Sequence, residues 1–383
     1  MAISRVPGAG PVYVKKLITH FGDAAAVFQA TKQALSATGI PEDAAAAIVK
    51  FSEWAALEAE LFLLKKKGVR LLFFTDAEYP RRLLDVRDSP PLLFYKGNAD
   101  LNAERLVAIV GTRHPSNYGR EVTAQLIRQM ARPGMLIISG LASGIDAAAH
   151  RAALVNGLPT VGILGHGLGH IYPFENEGLA KEMVADGGLL TSHEYDDKPE
   201  GFHFPDRNRV VAALCDALVV VESGKSGGSM LTAKAALGFR KPVFAVPGRI
   251  METRSAGCNA LIRQGKATML TAGDQLAADL GWKWPRGGTG VQGSLLLTSA
   301  GLASAGPAFD GMSPAGRADE TTADEQLLGL LKEKGSLDID EIARQTGQSS
   351  SGLALILLQL ELAGQVIAMP GKRYRFNAPV IHD

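Results

Sequence analysis

VAIVGTR (Val107–Arg113), IISGLASGIDAAAH (Ile137–His150), VGILGHGLGHIYP (Val161–Pro173), FPDRNR (Phe204–Arg209), VVVESGKSGGSMLTA (Val219–Ala233), VFAVPG (Val243–Gly248) and GCNALIRQGKA (Gly257–Ala267) follow one another through the middle of the chain. Short apolar runs end in glycine-rich turns that open helix-like stretches. Strand-like runs fall at Leu106–Val110, Met135–Ser139, Thr160–Leu164, Leu189–Ser192, Ala217–Val221, Val243–Val246 and Thr268–Leu270, with helix-like runs such as Gly119–Ala131, Ile145–Val155 and Ser229–Gly238 between them. Runs as uniformly apolar as ALVVVE (Ala217–Glu222) are buried on both faces. The alternation predicts an α/β fold, a Rossmann-like, doubly wound, mostly parallel sheet that collects its glycine turns along one edge. That edge is where function is expected.

The flanks differ from this core. Residues 1–68 read as a small helical domain. VPGAGPVYVKKLITHFG (Val6–Gly22), AAAVFQATKQAL (Ala24–Leu35) and PEDAAAAIVKFSEWAALEAELFLLKKKG (Pro41–Gly68) form its helices, with Pro41 and Gly68 as start and stop signals. Its GAGP turn has the form of a helix–hairpin–helix, which can hold a DNA phosphate on backbone amides, or is an ordinary packing turn. VRLLFFTD (Val69–Asp76) and PLLFYKG (Pro91–Gly97) are strand-like additions to the sheet edge, so the central domain spans 69–284. Pro285–Glu320 is rich in Gly, Ala, Ser and Pro and reads as a linker. The tail, 321–383, reads as a winged helix: helix (Ala323–Lys334), SLDIDEIARQTG (Ser336–Gly347), helix (Ser349–Gly364) and a hairpin turning at PGK. Its candidate recognition helix offers Gln359 and Glu361 but no Lys or Arg. The positive charges lie in the wing, at Lys372, Arg373 and Arg375, which favours protein or weak DNA contact over sequence reading.

Composition narrows the class. The 383 residues are 46% hydrophobic and 21% charged, enough for two or three soluble domains. Two cysteines, Cys215 and Cys258, without CxxC spacing, fit a reducing cytoplasm. No membrane-length apolar run or signal peptide is seen. A formal net charge of +1 means that any anion site must be local.

Three turns are candidate anion sites. SGGS (Ser226, Gly227, Gly228, Ser229) lies between a buried strand and a helix, with Lys225 beside it and Thr232 one turn in. GTR (Gly111, Thr112, Arg113) carries an arginine able to hold a phosphate bidentately. SGLASG (Ser139–Gly144) is the third. The Walker pattern GxxxxGK[ST] is absent, and SGLASG is not GxGxxG, which argues against ATP hydrolysis and an NAD site. In FHFPDRNR (Phe202–Arg209), Phe204 beside Arg207, Asn208 and Arg209 has the make-up of a single-strand site, bases on aromatics and phosphates on arginines. The same residues also suit core packing and pairing with Asp206. HGLGH (His166–His170) has glycines where a two-histidine metal face needs helix, so no metal or cofactor is expected. His150 reads as a helix-end packing residue. No GxSxG elbow or carboxylate pair points to catalysis.

Taken together, VAIVGTRHPSNYG, SGLASGIDAAAH, GILGHGLGHIYPFEN, FPDRNR, SGGSMLTA, FAVPG and GCNALIRQGKA, in that order, closely resemble the DNA-processing protein A (DprA/Smf) family over about Val107–Ala267, and more loosely over Tyr79–Gly97. The helical start and winged-helix tail resemble its long form. The resemblance implies a non-enzymatic, cytoplasmic protein of natural transformation (competence). Such a protein binds and protects incoming single-stranded DNA, helps load the RecA recombinase onto it for recombination, and dimerises through the Rossmann-like domain. It places the family's GSR-type arginine on Arg113 with Thr112 for the serine, its RNR segment on Arg207–Arg209, and its SGS-type turn on Ser226–Ser229 with one extra glycine. Some members carry a lysine after YP; here Phe174 and Glu175 follow Tyr172-Pro173, so Lys198 or Lys225 is expected to compensate. Two rival readings are weighed. A nucleoside-monophosphate phosphoribohydrolase needs a carboxylate at the glycine loop's helix, yet no Asp or Glu occurs between Glu222 and Glu252, and Lys234 lies about where one is required. A winged-helix transcriptional regulator is disfavoured by the bare recognition helix.

Overall fold

Five short helices begin the chain: α1 (Pro11–Phe21), α2 (Ala24–Gln29), α3 (Lys32–Ala37), α4 (Glu42–Val49) and α5 (Trp54–Lys66). The two longer stretches expected from sequence are each split. Thr31 stops α2 and caps α3, its Oγ1 accepting from Ala34 N at 3.2 Å; α4 and α5 are separated by Lys50–Glu53. Leu17, Val27, Leu35, Ala44 and Ile48 form the core of this bundle. The structure is a computed structural model that describes residues 1–283, 323–346, 353, 356–357, 360–361, 365–369 and 373–377. The Pro285–Glu320 linker reading, Gln359 and Lys372 lie outside those residues.

After the bundle come β1 (Arg70–Phe73), α6 (Arg81–Leu84) and β2 (Leu92–Gly97). Then the chain alternates: β3 (Arg105–Val110), α7 (Asn117–Met130), β4 (Met135–Ser139), α8 (Ile145–Val155), β5 (Thr160–Ile163), α9 (Glu177–Asp186) and β6 (Gly188–Thr191). It continues with α10 (Phe204–Leu214), β7 (Ala217–Val220), α11 (Gly228–Gly238), β8 (Val243–Ala245), α12 (Ala256–Arg263), β9 (Thr268–Met269) and α13 (Gly273–Asp279). Among the described residues these strands form one sheet in the order β1-β2-β6-β5-β4-β3-β7-β8-β9. Every pairing from β6 to β9 is parallel, while β2 runs antiparallel to both neighbours. The seven strands read from the glycine-rich core are thus present, and the two early strands extend its β6 edge.

Alternation along β3 explains the layers. Leu106, Ala108 and Val110 pack on one face with residues of α10, α11 and α12. Val107 and Ile109 pack on the other with residues of α7, α8 and α13. The strand order reverses direction around β3 and β7, and the crevice beyond their carboxyl ends is where such sheets hold ligands.

Asp216 ties α6 to this frame. Its carboxylate accepts a two-point fork from Arg82, at 2.7 and 2.8 Å, and the Leu106 amide at 2.8 Å. The helical bundle is fastened through Arg5, which donates to Glu194 at 2.6 Å and pairs with Glu60, and through Lys15, which donates to Ser89 Oγ at 2.5 Å.

The chain divides into two compact units, Met1–Ser294 and Leu295–Asp383. The second contains α14 (Ala323–Lys334), β10 (Ser336–Asp338), α15 (Ile339–Thr346), β11 (Val366–Met369) and β12 (Arg373–Phe376), with sheet order β10-β12-β11. Ser336–Asp338 is a strand rather than the start of a helix, because it pairs with Arg373–Arg375 of the wing. Leu353, Leu357 and Leu360 are buried in this unit's core. Arg373 donates to Ser336 O at 3.1 Å, so part of the wing's charge is engaged within the fold.

Candidate nucleic-acid interface

A cleft of about 420 Å³ opens at the carboxyl ends of β3 and β7. It is lined by Gly111–His114 after β3, by Gly140, Ala142 and Asp146 between β4 and α8, by Phe204, Arg207 and Asn208 of α10, and by Ser223, Gly224 and Gly227–Ser229 after β7. Two of the three glycine turns therefore face one another across the crevice, with the third between them and α10 closing the side.

The GTR turn is held by backbone. Thr112 N donates to Glu222 O at 2.7 Å, and Thr112 O accepts from Ile145 N at 3.1 Å. A side chain at Gly111 would run into Ile145, so close packing of α8 requires glycine there. Gly144 sits at φ +85° with its α-carbon against the Thr112–Arg113 backbone, a conformation and an approach that only glycine allows. Arg113 emerges exposed, its guanidinium 5.4 Å from the centre of the Phe204 ring. That ring lies half-buried, with Gly165 beneath it. An exposed guanidinium beside an aromatic face is suited to one phosphate and one base.

The SGLASG turn is already occupied. Leu141 adopts φ +54°, and the amides of Gly140 and Ala142 both donate to Asp146 Oδ2, at 3.2 and 3.4 Å. This is an anion nest filled by the chain's own carboxylate. Asn176 steadies the same turn by donating to Leu141 O at 2.9 Å and Ala142 O at 3.3 Å. Burial pushes the Asp146 carboxyl up against the pull of Arg207, and burial likewise lowers the Arg207 guanidinium against the pull of Asp146.

Arg207 is only 6% exposed. Its guanidinium donates to Gly140 O and, at 3.1 Å, to Ile163 O, while its Nε donates to Asn208 Oδ1 at 3.0 Å. It is a brace joining the end of β4, β5 and α10 at the wall of the cleft, its guanidinium engaged with backbone carbonyls rather than free for a phosphate. Arg209 is placed elsewhere. Two residues along a helix turn about 200°, so Arg209 faces away from the cleft, paired with Asp88 at 2.6 Å and lying 5.1 Å from the Phe239 ring. Lys198 is exposed in the loop before α10 and is not among the residues lining the cleft.

The SGGS turn works differently from the expectation. Neither Gly227 nor Gly228 has a positive φ, so the backbone is a plain helix start rather than a nest. The amides at the head of α11 still point at the crevice with the helix's positive end. Ser229 Oγ donates to Ser223 Oγ at 2.8 Å, which fixes the turn. Lys225 and Ser226 are exposed on its outer side. The nearby Glu222 side chain is buried and accepts from Ser116 N at 2.9 Å and Ser116 Oγ at 2.6 Å, bracing the start of α7.

Further residues were missed from sequence. Asp146 and Asn176 were hidden because their polar groups serve backbone amides and carbonyls brought together only by folding. Asp146 in the first turn of a helix that follows a glycine loop was the available signal. His150 lies inside α8 rather than at its end. It is fully buried, its Nδ1 2.7 Å from Thr160 Oγ1. Thr160 Oγ1 donates to Ile137 O at 2.9 Å, so the shared proton sits on Nδ1. Burial drives its pKa down to about 3. In the GAGP turn Gly8, Gly10 and Pro11 are exposed and Ala9 is buried. Gly10 and Pro11 wall a cavity of about 540 Å³ whose lining includes Asp88, Glu194, Asp197 and Asp206. Among the described residues no group of three or more His, Cys, Asp or Glu could hold a metal ion, and no helix is long and apolar enough to cross a membrane. The Cys215 and Cys258 thiols are buried, both pushed up to about 12.

Known proteins are similar to this chain in sequence and fold. Residues 70–281 match the model of the DNA recombination-mediator protein A family, and residues 312–372 match the DprA winged helix domain. Protein Smf of Synechocystis is 32% identical over 98% of this chain and 97% of its own. The X-ray structure of DNA processing protein A from Streptococcus pneumoniae superposes with a TM-score of 0.64 at 31% identity, covering 73% of this chain and 95% of that one. A Helicobacter pylori DNA processing protein A, solved for its single-stranded DNA binding mode, superposes with a TM-score of 0.51 at 31% identity, covering 55% and 95%.

Proposed function

Since the chain belongs to the DNA recombination-mediator protein A (DprA/Smf) family, we propose that it binds single-stranded DNA in the cleft between the GTR turn and the head of α11, without catalysis. The observation that carries this reading is the exposed Arg113 guanidinium 5.4 Å from the Phe204 ring, opposite a helix N-terminus. Arg113 and the amides of Gly111 and Gly228–Ser229 take phosphates. Phe204 takes a base on its face, and Lys225 and Ser226 add outer contacts. Arg207, Asn208 and Asp146 position this surface from below. The contacts read charge and ring faces rather than base edges, so binding tolerates sequence. A chain held this way is protected from nucleases and presented to the RecA recombinase, in natural transformation or another cytoplasmic recombination step, by a homodimer joined through the Rossmann-like unit. Among the described residues the one carboxylate lining the cleft, Asp146, is committed to the Gly140 and Ala142 amides, which supports a binding rather than a hydrolytic role.

The test is affinity for a labelled unstructured oligonucleotide, single-stranded against duplex, across a salt series. Wild type is expected to prefer the single strand. Arg113→Ala should weaken it about ten-fold and reduce the salt slope by about 0.7, the share of one phosphate on a single strand. A folded wild type that binds neither form, or an unchanged slope in the variant, overturns the reading.

A further inference from the structure

Beyond the cleft, the loop after β8 displays Ile250 and Met251, 88% and 89% exposed, the most exposed large apolar side chains among the described residues. The display is held firmly. Glu252 N donates to Arg249 O at 3.1 Å, closing a turn with Ile250 and Met251 at its tip. At its base Gly248 N donates to Asn259 Oδ1 at 3.1 Å, and Asn259 Nδ2 donates back to Gly248 O at 2.9 Å. Tyr118 Oη donates to Pro247 O at 3.1 Å. Arg254 O accepts from Ser223 N at 2.7 Å, so the loop is bonded directly to the wall of the cleft.

The charge around the tip has one sign in excess. Arg249 and Arg254 are exposed on either side of the apolar pair, Lys225 is exposed on the adjoining turn, and Glu252 is the one carboxylate within the loop. Resting on the single-strand reading of the cleft, we propose that the Arg249–Arg254 loop is a second DNA contact. The strand passes from the head of α11 onto this loop, its phosphates on Arg249 and Arg254 and the Ile250–Met251 tip wedged between two bases. Apolar wedges of this type enter base steps elsewhere, and a single strand opens a step more cheaply than a duplex does. The occupant is nucleic acid rather than a second copy of the chain. An isologous contact would set the same cations against one another, and two side chains fall far short of the ~800 Å² per partner of a stable interface.

The experiment uses the full-length chain, a labelled unstructured oligonucleotide and an abasic strand of equal length. Ile250→Ser/Met251→Ser, at exposed positions that leave folding intact, should bind the base-bearing strand about five- to ten-fold more weakly with an unchanged salt slope, and the abasic strand as wild type does. Arg249→Gln/Arg254→Gln should lower the slope on both strands by about 1.4, two phosphates' worth. Wild-type affinity in the apolar variant, or an equal loss on both strands, overturns the wedge. Light scattering that finds a wild-type oligomer lost in the apolar variant assigns the loop to self-association and overturns it as well. If binding falls in Arg113→Ala but is indifferent to the loop variants, the cleft reading stands and this one fails. A wild type that binds neither strand overturns both.

Discussion

Asp146 and Arg207 show how a charged pair inside a glycine-rich edge shapes a site without touching a ligand. The carboxylate fills the nest at Gly140–Ala142, and the guanidinium spans carbonyls of β4 and β5. Removing one partner leaves the other charge buried and uncompensated. Asp146→Ala should therefore cost about 3–5 kcal/mol of unfolding free energy, read from urea denaturation. Asp146→Ala/Arg207→Met should recover most of that loss, because the orphan charge goes too. Additive losses in the double variant would mean that the two side chains act separately. The arginine-rich FPDRNR segment was legible as a candidate site. Which of its arginines goes inward was not, since burial depends on carbonyls contributed by Gly140 and Ile163, far away in sequence.

At the scale of elements, α10 divides two surfaces. Phe204, Arg207 and Asn208 face the cleft, whereas Asp206 and Arg209 face the acidic cavity beside the helical bundle. Phe204→Ala is expected to weaken single-strand binding about ten-fold, the worth of one stacked base. Arg209→Ala should change it less than about two-fold, since its charge is spent on Asp88 and is screened at a half-exposed site. A larger effect at Arg209 than at Phe204, measured by titration at fixed salt, would put the strand on the other side of the helix. The 100° step between helical residues already separates the two arginines. What sequence lacked was the location of the partner surfaces.

For the whole molecule, buried His150 links stability to pH. Its folded pKa is about 3, below the ordinary value near 6.5 of an unfolded chain. Between those values the unfolded chain binds the extra proton, so stability falls as pH drops below 6.5. At pH 5 the loss from this one group is about 2 kcal/mol relative to neutral pH. His150→Gln should flatten that part of the profile, and thermal denaturation at pH 7 and pH 5 measures it. An identical pH dependence in the variant would assign the acid sensitivity to other groups. The tail unit has its own leucine core.

Sequence by itself determined the seven core strands, the helices between them and the sheet edge on which the glycine turns gather. Burial periodicity of two and of 3.6 is a local property, and glycine marks the turns that close approach demands. Arg113 was legible in sequence as a candidate contact, but its turn is held by Glu222 and Ile145, far away in sequence. Tertiary structure alone decided which of three similar turns is open. SGLASG is filled by Asp146, SGGS is a helix start, and GTR presents its arginine to the crevice. It decided, too, that β2 is inserted antiparallel beside β6 and that the GAGP turn faces an acidic cavity. These outcomes depend on groups distant in sequence competing for the same amides, carbonyls and apolar surface, a competition resolved only when the chain is packed.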